Sequence, residues 1–164
     1  MALSPPWPPV VSLIPHRPPQ LFLDRVVEVA GARIRCETEF LPEHFPGHFP
    51  GRPIVPGVVM IEGLAQALAC LAALSGEQGQ AVLTGVEKAR FRGFAAPPVR
   101  LVFEVEVTDR RFGVTWAKGS VRHDDKVLCT VTLQAAVLPE EALPPPTSPP
   151  SSNAPSSAPP SSPA

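Results

Sequence analysis

Between Glu43 and Glu62 the chain reads EHFPGHFPGRPIVPGVVMIE, and its chemically capable residues crowd there. A neutral imidazole takes up a proton near neutral pH, so His44 and His48 are candidate bases. Glu62 lies in an apolar run, where a carboxylate is costly to bury unless it is paired, protonated or in use. Burial favours its protonated form, while a nearby helix start favours the charged one. A protonated Glu62 opposite a histidine would make an acid/base pair able to take one proton from a substrate and return another. The plainer alternatives stay open. Glu62 could reach the surface or bond to a core polar group, and either histidine could serve structure alone. Because HFPG occurs at both 44 and 48, the residues do not choose between the two histidines. Metal binding is not expected: Pro46 and Gly47 break the helix that an HxxxH pair of ligands needs, and no third ligand stands at a characteristic spacing.

These residues need elements to hold them. Val58 to Leu74 is apolar on nearly all sides and reads as a buried core helix beginning near Gly57. Pro53, Pro56 and Gly57 mark its start and Ser75-Gly76 its end. It falls short of the ~20 residues of a membrane span and carries Glu62, Gly63 and Gln66. Glu62 and Gln66, four apart, share one helix face. The free N–H groups at the helix start suit a carbonyl oxygen gaining negative charge. Strands are expected over Leu21–Val29, Ala32–Phe40, Ala81–Phe91, Val99–Thr108, Val114–His123 and Lys126–Val137, with turns at Ala30-Gly31, Asp109–Gly113 and Asp124-Asp125. Short connections imply antiparallel order. The fold class is therefore α+β, an antiparallel sheet around one long helix.

The bulk composition sets the outer limits. Residues 1–9 are broken by proline and expected to be loose, residues 10–138 to form the folded domain, and the Pro/Ser/Ala-rich residues 139–164 to be a disordered tail. A net charge of −1 gives no overall pull toward nucleic acid or an anionic membrane. Cys36, Cys70 and Cys129 are few and scattered, which fits inert free thiols in a reducing cytosol. No signal peptide is read at the N-terminus, so the expected location is cytoplasmic.

Three blocks in order, LIPHRPPQLFLDRVVEV, GHFPGRPIVPGVVMIEGLAQ and TGVEKARFRGFAAPP, resemble the 3-hydroxyacyl-acyl-carrier-protein dehydratases of bacterial fatty acid synthesis, the FabZ type. The likeness runs from about Leu13 to Val137. It implies a hot-dog fold and assigns the family histidine of GHFPGRP to His48 and the family acid to Glu62. It further implies a homodimer, with trimers of dimers possible, in which His48 of one chain faces Glu62 of the other. An acyl tunnel would be lined by helix and sheet, and no cofactor would be needed. Gly57 and Val58 at the helix start would bind the thioester, with Gln66 beside Glu62 as a further substrate-site residue that could orient it. His16 and Arg17 match the family's early PHR element and are read as structural or portal residues. The chain departs from the family after the KARF block, where GFAAPPVR replaces a Pro-Gly-Asp turn.

The partner implied is acyl carrier protein, which is acidic and would meet a local basic rim. Lys88, Arg90, Arg92 and Arg100 are the candidates, with Arg52 nearby in sequence to the site. Two other functions fit the same fold: a thioesterase or enoyl hydratase working on coenzyme A, and a non-catalytic subunit that only holds carrier protein. The His48/Glu62 pair argues against the second, since a scaffold has no use for a buried carboxylate.

Overall fold

The computed structural model describes residues 5–145 and 147. A one-turn helix α1 (Val10–Leu13) precedes strands β1 (Arg25–Ala30) and β2 (Arg33–Phe40). Then come the long helix α2 (Gly57–Leu74) and strands β3 (Gln80–Phe91), β4 (Val99–Arg111), β5 (Val114–His123) and β6 (Lys126–Leu138). The six strands form one antiparallel sheet in the order β1-β2-β4-β5-β6-β3. This is the α+β arrangement expected.

Alternation builds the core. Ile34, Cys36, Thr38 and Phe40 of β2 are buried, as are Val99, Leu101, Phe103 and Val105 of β4. Val121 of β5 and Cys129, Val131 and Leu133 of β6 extend the same inner face. Against it lies α2, through Met60, Leu64, Ala67, Leu68 and Leu71. The helix is long and apolar enough to cross a membrane by length and composition, but 56% of that window is buried inside the protein, as in a core helix. It is not buried on every side. Val58, at its first turn, is 71% exposed. Helix α2 ends where expected: Gly76 takes a left-handed φ of 83° and lets Glu77 N–H reach back to the Ala72 carbonyl.

Two local expectations are corrected. The strand expected from Leu21 begins only at Arg25. The backbone before it is engaged elsewhere: Phe22 N–H donates to the Gln66 side-chain oxygen, and the Gln20 carbonyl accepts from the Gln66 side-chain amide. The turn expected over Asp109–Gly113 is only Phe112-Gly113, because β4 stays paired to β5 up to Arg111↔Val114. Near the N-terminus, Trp7 donates its indole N–H to the Val27 carbonyl and packs against the core. Of residues 139–164, Pro139–Pro145 and Thr147 are described, including a short turn of 3-10 helix at Glu140–Ala142. The remainder lies outside the described residues.

The three cysteines are free and buried. Burial pushes the Cys70 thiol up to about 12 and Cys129 to about 11, and drives Cys36 higher still, with Cys70 adding to it. A thiolate is the reactive form, so folded protein at pH 8 should show no fast alkylation by iodoacetamide, and denatured protein should show three. Rapid labelling of any one thiol in the folded state would contradict this burial. The sign of the linkage also follows. The unfolded chain loses these protons first, so stability should fall as pH rises above 9.

Candidate active site

The loop before α2 is built from short-range bonds. Phe49 and Arg52 exchange both backbone hydrogen bonds around Pro50-Gly51, with Gly51 at φ 73°. Proline followed by a glycine in the left-handed region is the pattern of a type II turn. Ile54 N–H closes onto the His48 carbonyl at 2.6 Å, and Val55, which is buried, donates to the Ala95 carbonyl at 2.9 Å. The altered segment GFAAPPVR thus holds the far end of this loop through Ala95.

The two histidines now separate. His44 is exposed, and its Nδ1 accepts the Leu41 N–H at 3.0 Å, closing the short turn at Pro42–His44. That is a structural role. His48 is half-buried, stacks on Phe49 with ring centroids 4.3 Å apart, and places Nδ1 3.0 Å from the Ile54 carbonyl oxygen. A carbonyl can only accept, so Nδ1 carries the proton and Nε2 keeps its lone pair. That tautomer is the one a base needs.

Glu62 projects from the second turn of α2 and is 38% exposed at its side chain. Gln66 stands one turn on, 1% exposed, with its amide fully used. Its oxygen accepts from Phe22 N–H, and its nitrogen donates to the Gln20 carbonyl and, at 3.0 Å, to Glu62 Oε1. A buried amide held at three points is a rigid support for the carboxyl. His16 Nε2 approaches the same oxygen to 3.6 Å. The sequence marks His16 only as a structural or portal residue. Nothing in its spacing links it to a carboxylate 46 positions later, and only the tertiary fold brings the two together. Within the chain, no hydrogen bond or ion pair joins His48 to Glu62 among the described residues.

The start of α2 offers open donors. Its cap is Pro56, which makes no side-chain cap bond, and Val59 and Met60 N–H both turn to the Pro56 carbonyl. The Gly57 and Val58 amides precede these and find no backbone acceptor among the described residues. The ring of Phe91 lies over Gly57, 2.7 Å from where a Cβ would stand. Phe91 is a second site residue that sequence reading missed; its place at the end of KARF gave no sign of it.

The basic candidates come from two strands that are not neighbours in the sheet. Lys88, at a bulge in β3 with φ 54°, lines a hollow of about 670 Å³ on the outer face of the sheet with Arg33, Arg35, Glu104 and Lys118. Arg90 is exposed on β3, and Arg92, just beyond it, donates to Thr130 Oγ1. Arg100 is exposed on β4, with β5 and β6 between it and β3. The sheet order, which sequence periodicity does not encode, separates them. Neither His48 nor Glu62 lines that hollow.

A single curled antiparallel sheet around a long helix is the hot-dog fold, and solved structures share it. The dehydratase heterocomplex ApeI:P from Xenorhabdus doucetiae matches with a TM-score of 0.71 at 19% identity, over 82% of this chain and 94% of that one. Protein PH1136 from Pyrococcus horikoshii matches with a TM-score of 0.60 at 15% identity, over 74% and 87%. Residues 14–132 match the FabA-like domain. The 3-hydroxyacyl-(acyl-carrier-protein) dehydratase FabZ of Anaeromyxobacter sp. (strain K) is 38% identical over 144 residues, 80% of this chain and 90% of its own. That of Alkaliphilus metalliredigens (strain QYMF) is 38% identical over 135 residues, 79% and 91%. The chain belongs to the FabA-like family and, within it, to the 3-hydroxyacyl-acyl-carrier-protein dehydratases of the FabZ type.

Proposed function

We propose that this enzyme converts a (3R)-3-hydroxyacyl thioester of acyl carrier protein to the trans-2-enoyl thioester, with His48 as base and Glu62 as acid. The observation that carries the reading is the 3.0 Å approach of His48 Nδ1 to the Ile54 carbonyl, which commits Nδ1 as donor and frees Nε2 to accept. The thioester carbonyl accepts from the Gly57 or Val58 N–H, which stabilises the negative charge that builds on it as the C2–H bond weakens. His48 Nε2 takes the C2 proton. The C2 electron pair forms the C2=C3 bond as the C3–O bond breaks, and Glu62 gives its proton to the departing hydroxyl, which leaves as water. The proton on His48 then returns to Glu62 through solvent, restoring both groups. No step requires a metal or a redox cofactor.

The site is completed by a second copy of the chain, with His48 of one facing Glu62 of the other. Two features support this. Among the described residues no hydrogen bond or ion pair joins His48 to Glu62 within one chain, and β3 is a 12-residue edge strand bearing exposed Leu83, Val86 and Phe91. A long apolar edge invites pairing. Val58, Phe49 and Phe94 are exposed apolar residues of the segments around the site. The carrier protein then approaches with its acidic surface toward Lys88, Arg90, Arg92 and Arg100, as separate contacts. The folded unit spans 10–138, with Trp7 packed onto it.

Mixing inactive chains tests the shared site. His48→Ala and Glu62→Ala homodimers should each be inactive. Co-refolded in equal amounts, they should recover about one quarter of wild-type activity, because half the dimers are mixed and each of those holds one intact site of two. No recovery, with mixed dimers present, would place both residues in one chain's site. Thiol release from saturated acyl thioesters without enoyl formation would instead identify a thioesterase.

A further inference from the structure

We propose that His16 is a positioning residue for the acid: with Gln66 it holds Glu62 Oε1, so that the transferable proton rests on Oε2. The proposal deepens the reading of Glu62 as the acid and rests on it. The side-chain nitrogens of both residues converge on one oxygen, Gln66 Nε2 at 3.0 Å and His16 Nε2 at 3.6 Å. No partner is found for Oε2 among the described residues. An oxygen that accepts N–H donors is the poorer site for the acid proton, which therefore occupies the other oxygen, and that one is open to a substrate. The 3.6 Å separation is longer than a hydrogen bond. It lies within ion-pair range, where a donor N–H still attracts the oxygen.

His16 is built to donate in one direction. Its Nδ1 is buried and has no hydrogen-bond partner among the described residues. Of the two neutral tautomers, the one protonated on Nε2 leaves no buried N–H unpaired and turns its donor to Glu62. The backbone is held as well. Arg17 Nη1 binds the His16 carbonyl at 2.7 Å and the Ile14 carbonyl at 3.1 Å, Ile14 is buried, and prolines 15, 18 and 19 stiffen the segment. Among the described residues, Glu62 is the carboxylate that pairs with this imidazole.

The test compares kcat and KM for 3-hydroxyacyl-carrier-protein dehydration in four chains: wild type, Glu62→Gln, His16→Phe and His16→Gln. Phenylalanine keeps a ring and loses the donor, whereas the glutamine side-chain N–H reaches close to the position of Nε2. Loss of the donor should lower kcat about 5- to 20-fold with KM within about twofold, and His16→Gln should recover kcat to within about threefold of wild type. Wild-type kcat in His16→Phe, a loss confined to KM, or a loss that His16→Gln fails to restore would each overturn the proposal. If His16→Phe does not fold, His16→Asn replaces it: its shorter side chain does not reach the carboxyl, and equal kcat in the Asn and Gln variants overturns the proposal. Glu62→Gln separates the two levels. Full activity there removes Glu62 as the acid, whereas an inactive Glu62→Gln beside an unaffected His16→Phe removes only the role given to His16.

Discussion

Replacing His48 by alanine should slow dehydration about 10²- to 10⁴-fold, the range spanned by a single positioned acid or base. The side chain is not part of the core. It is half-buried, bonded to the Ile54 carbonyl and stacked on Phe49, while the loop around it is closed by backbone bonds that alanine keeps. Losing its hydrogen bond costs about 1 kcal/mol of stability, too little to unfold a domain. The loss should therefore fall on kcat, with the thermal midpoint shifted by only a few degrees. Glu62→Gln should cost a similar factor by a different route. The amide oxygen still accepts from Gln66, so the geometry persists while the transferable proton is gone. His44→Ala supplies the control. Its ring only closes the turn at Pro42–His44, so its rate should stay within about twofold of wild type. Steady-state formation of the enoyl thioester measures all three. A His48→Ala enzyme that keeps a tenth of its rate, or a His44→Ala enzyme that loses it, would reverse the assignment of the base.

Gly63→Ala should be the most damaging single methyl in the core. A Cβ there would lie against Cε1 of Phe103, and 2.9 Å from Cζ and 3.0 Å from Cδ1 of the same ring. Phe103 is fully buried in β4 and has nowhere to turn. Overpacking of this kind costs about 1–3 kcal/mol, which lowers the midpoint of thermal unfolding by several degrees. A strong coupling is also expected. Phe103→Leu alone should destabilise by leaving a cavity, yet in the Gly63→Ala background it should recover part of the loss, because the missing ring is the space the methyl needs. Gly57 gives the contrast. Its Cβ would also meet a phenylalanine ring, at 2.7 Å, but Phe91 is 52% exposed and can swing aside. Gly57→Ala should therefore leave stability nearly unchanged while disturbing the amides proposed to hold the thioester. A Gly63→Ala protein as stable as wild type would mean that α2 does not pack on Phe103 this closely.

Local signals in the sequence determined the helix and most of the strands. An 18-residue apolar run bounded by Pro56 and Ser75-Gly76 is α2, and the period-two alternation of β4 and β6 places their inner faces correctly. The turn at Pro50-Gly51 and the sharing of one face by Glu62 and Gln66 are equally local. Both depend on residues a few positions apart, where backbone geometry alone sets the relation. The resemblance carried by GHFPGRP and KARF supplied the family, which periodicity could not.

Only the tertiary structure decided the rest. Sequence periodicity says nothing of which strand lies beside which, so it missed that β3 crosses to the far edge beside β6 and leaves Arg100 apart from Arg90. Strand propensity favoured Leu21–Asp24, yet the Gln66 amide, 44 positions from Phe22, claims the hydrogen bonds there. His16 reaches Glu62, and Val55 reaches Ala95, in the same long-range way. Each of these links joins residues whose separation along the chain carries no signal, because a side chain's partner is fixed by how the helix settles in the sheet.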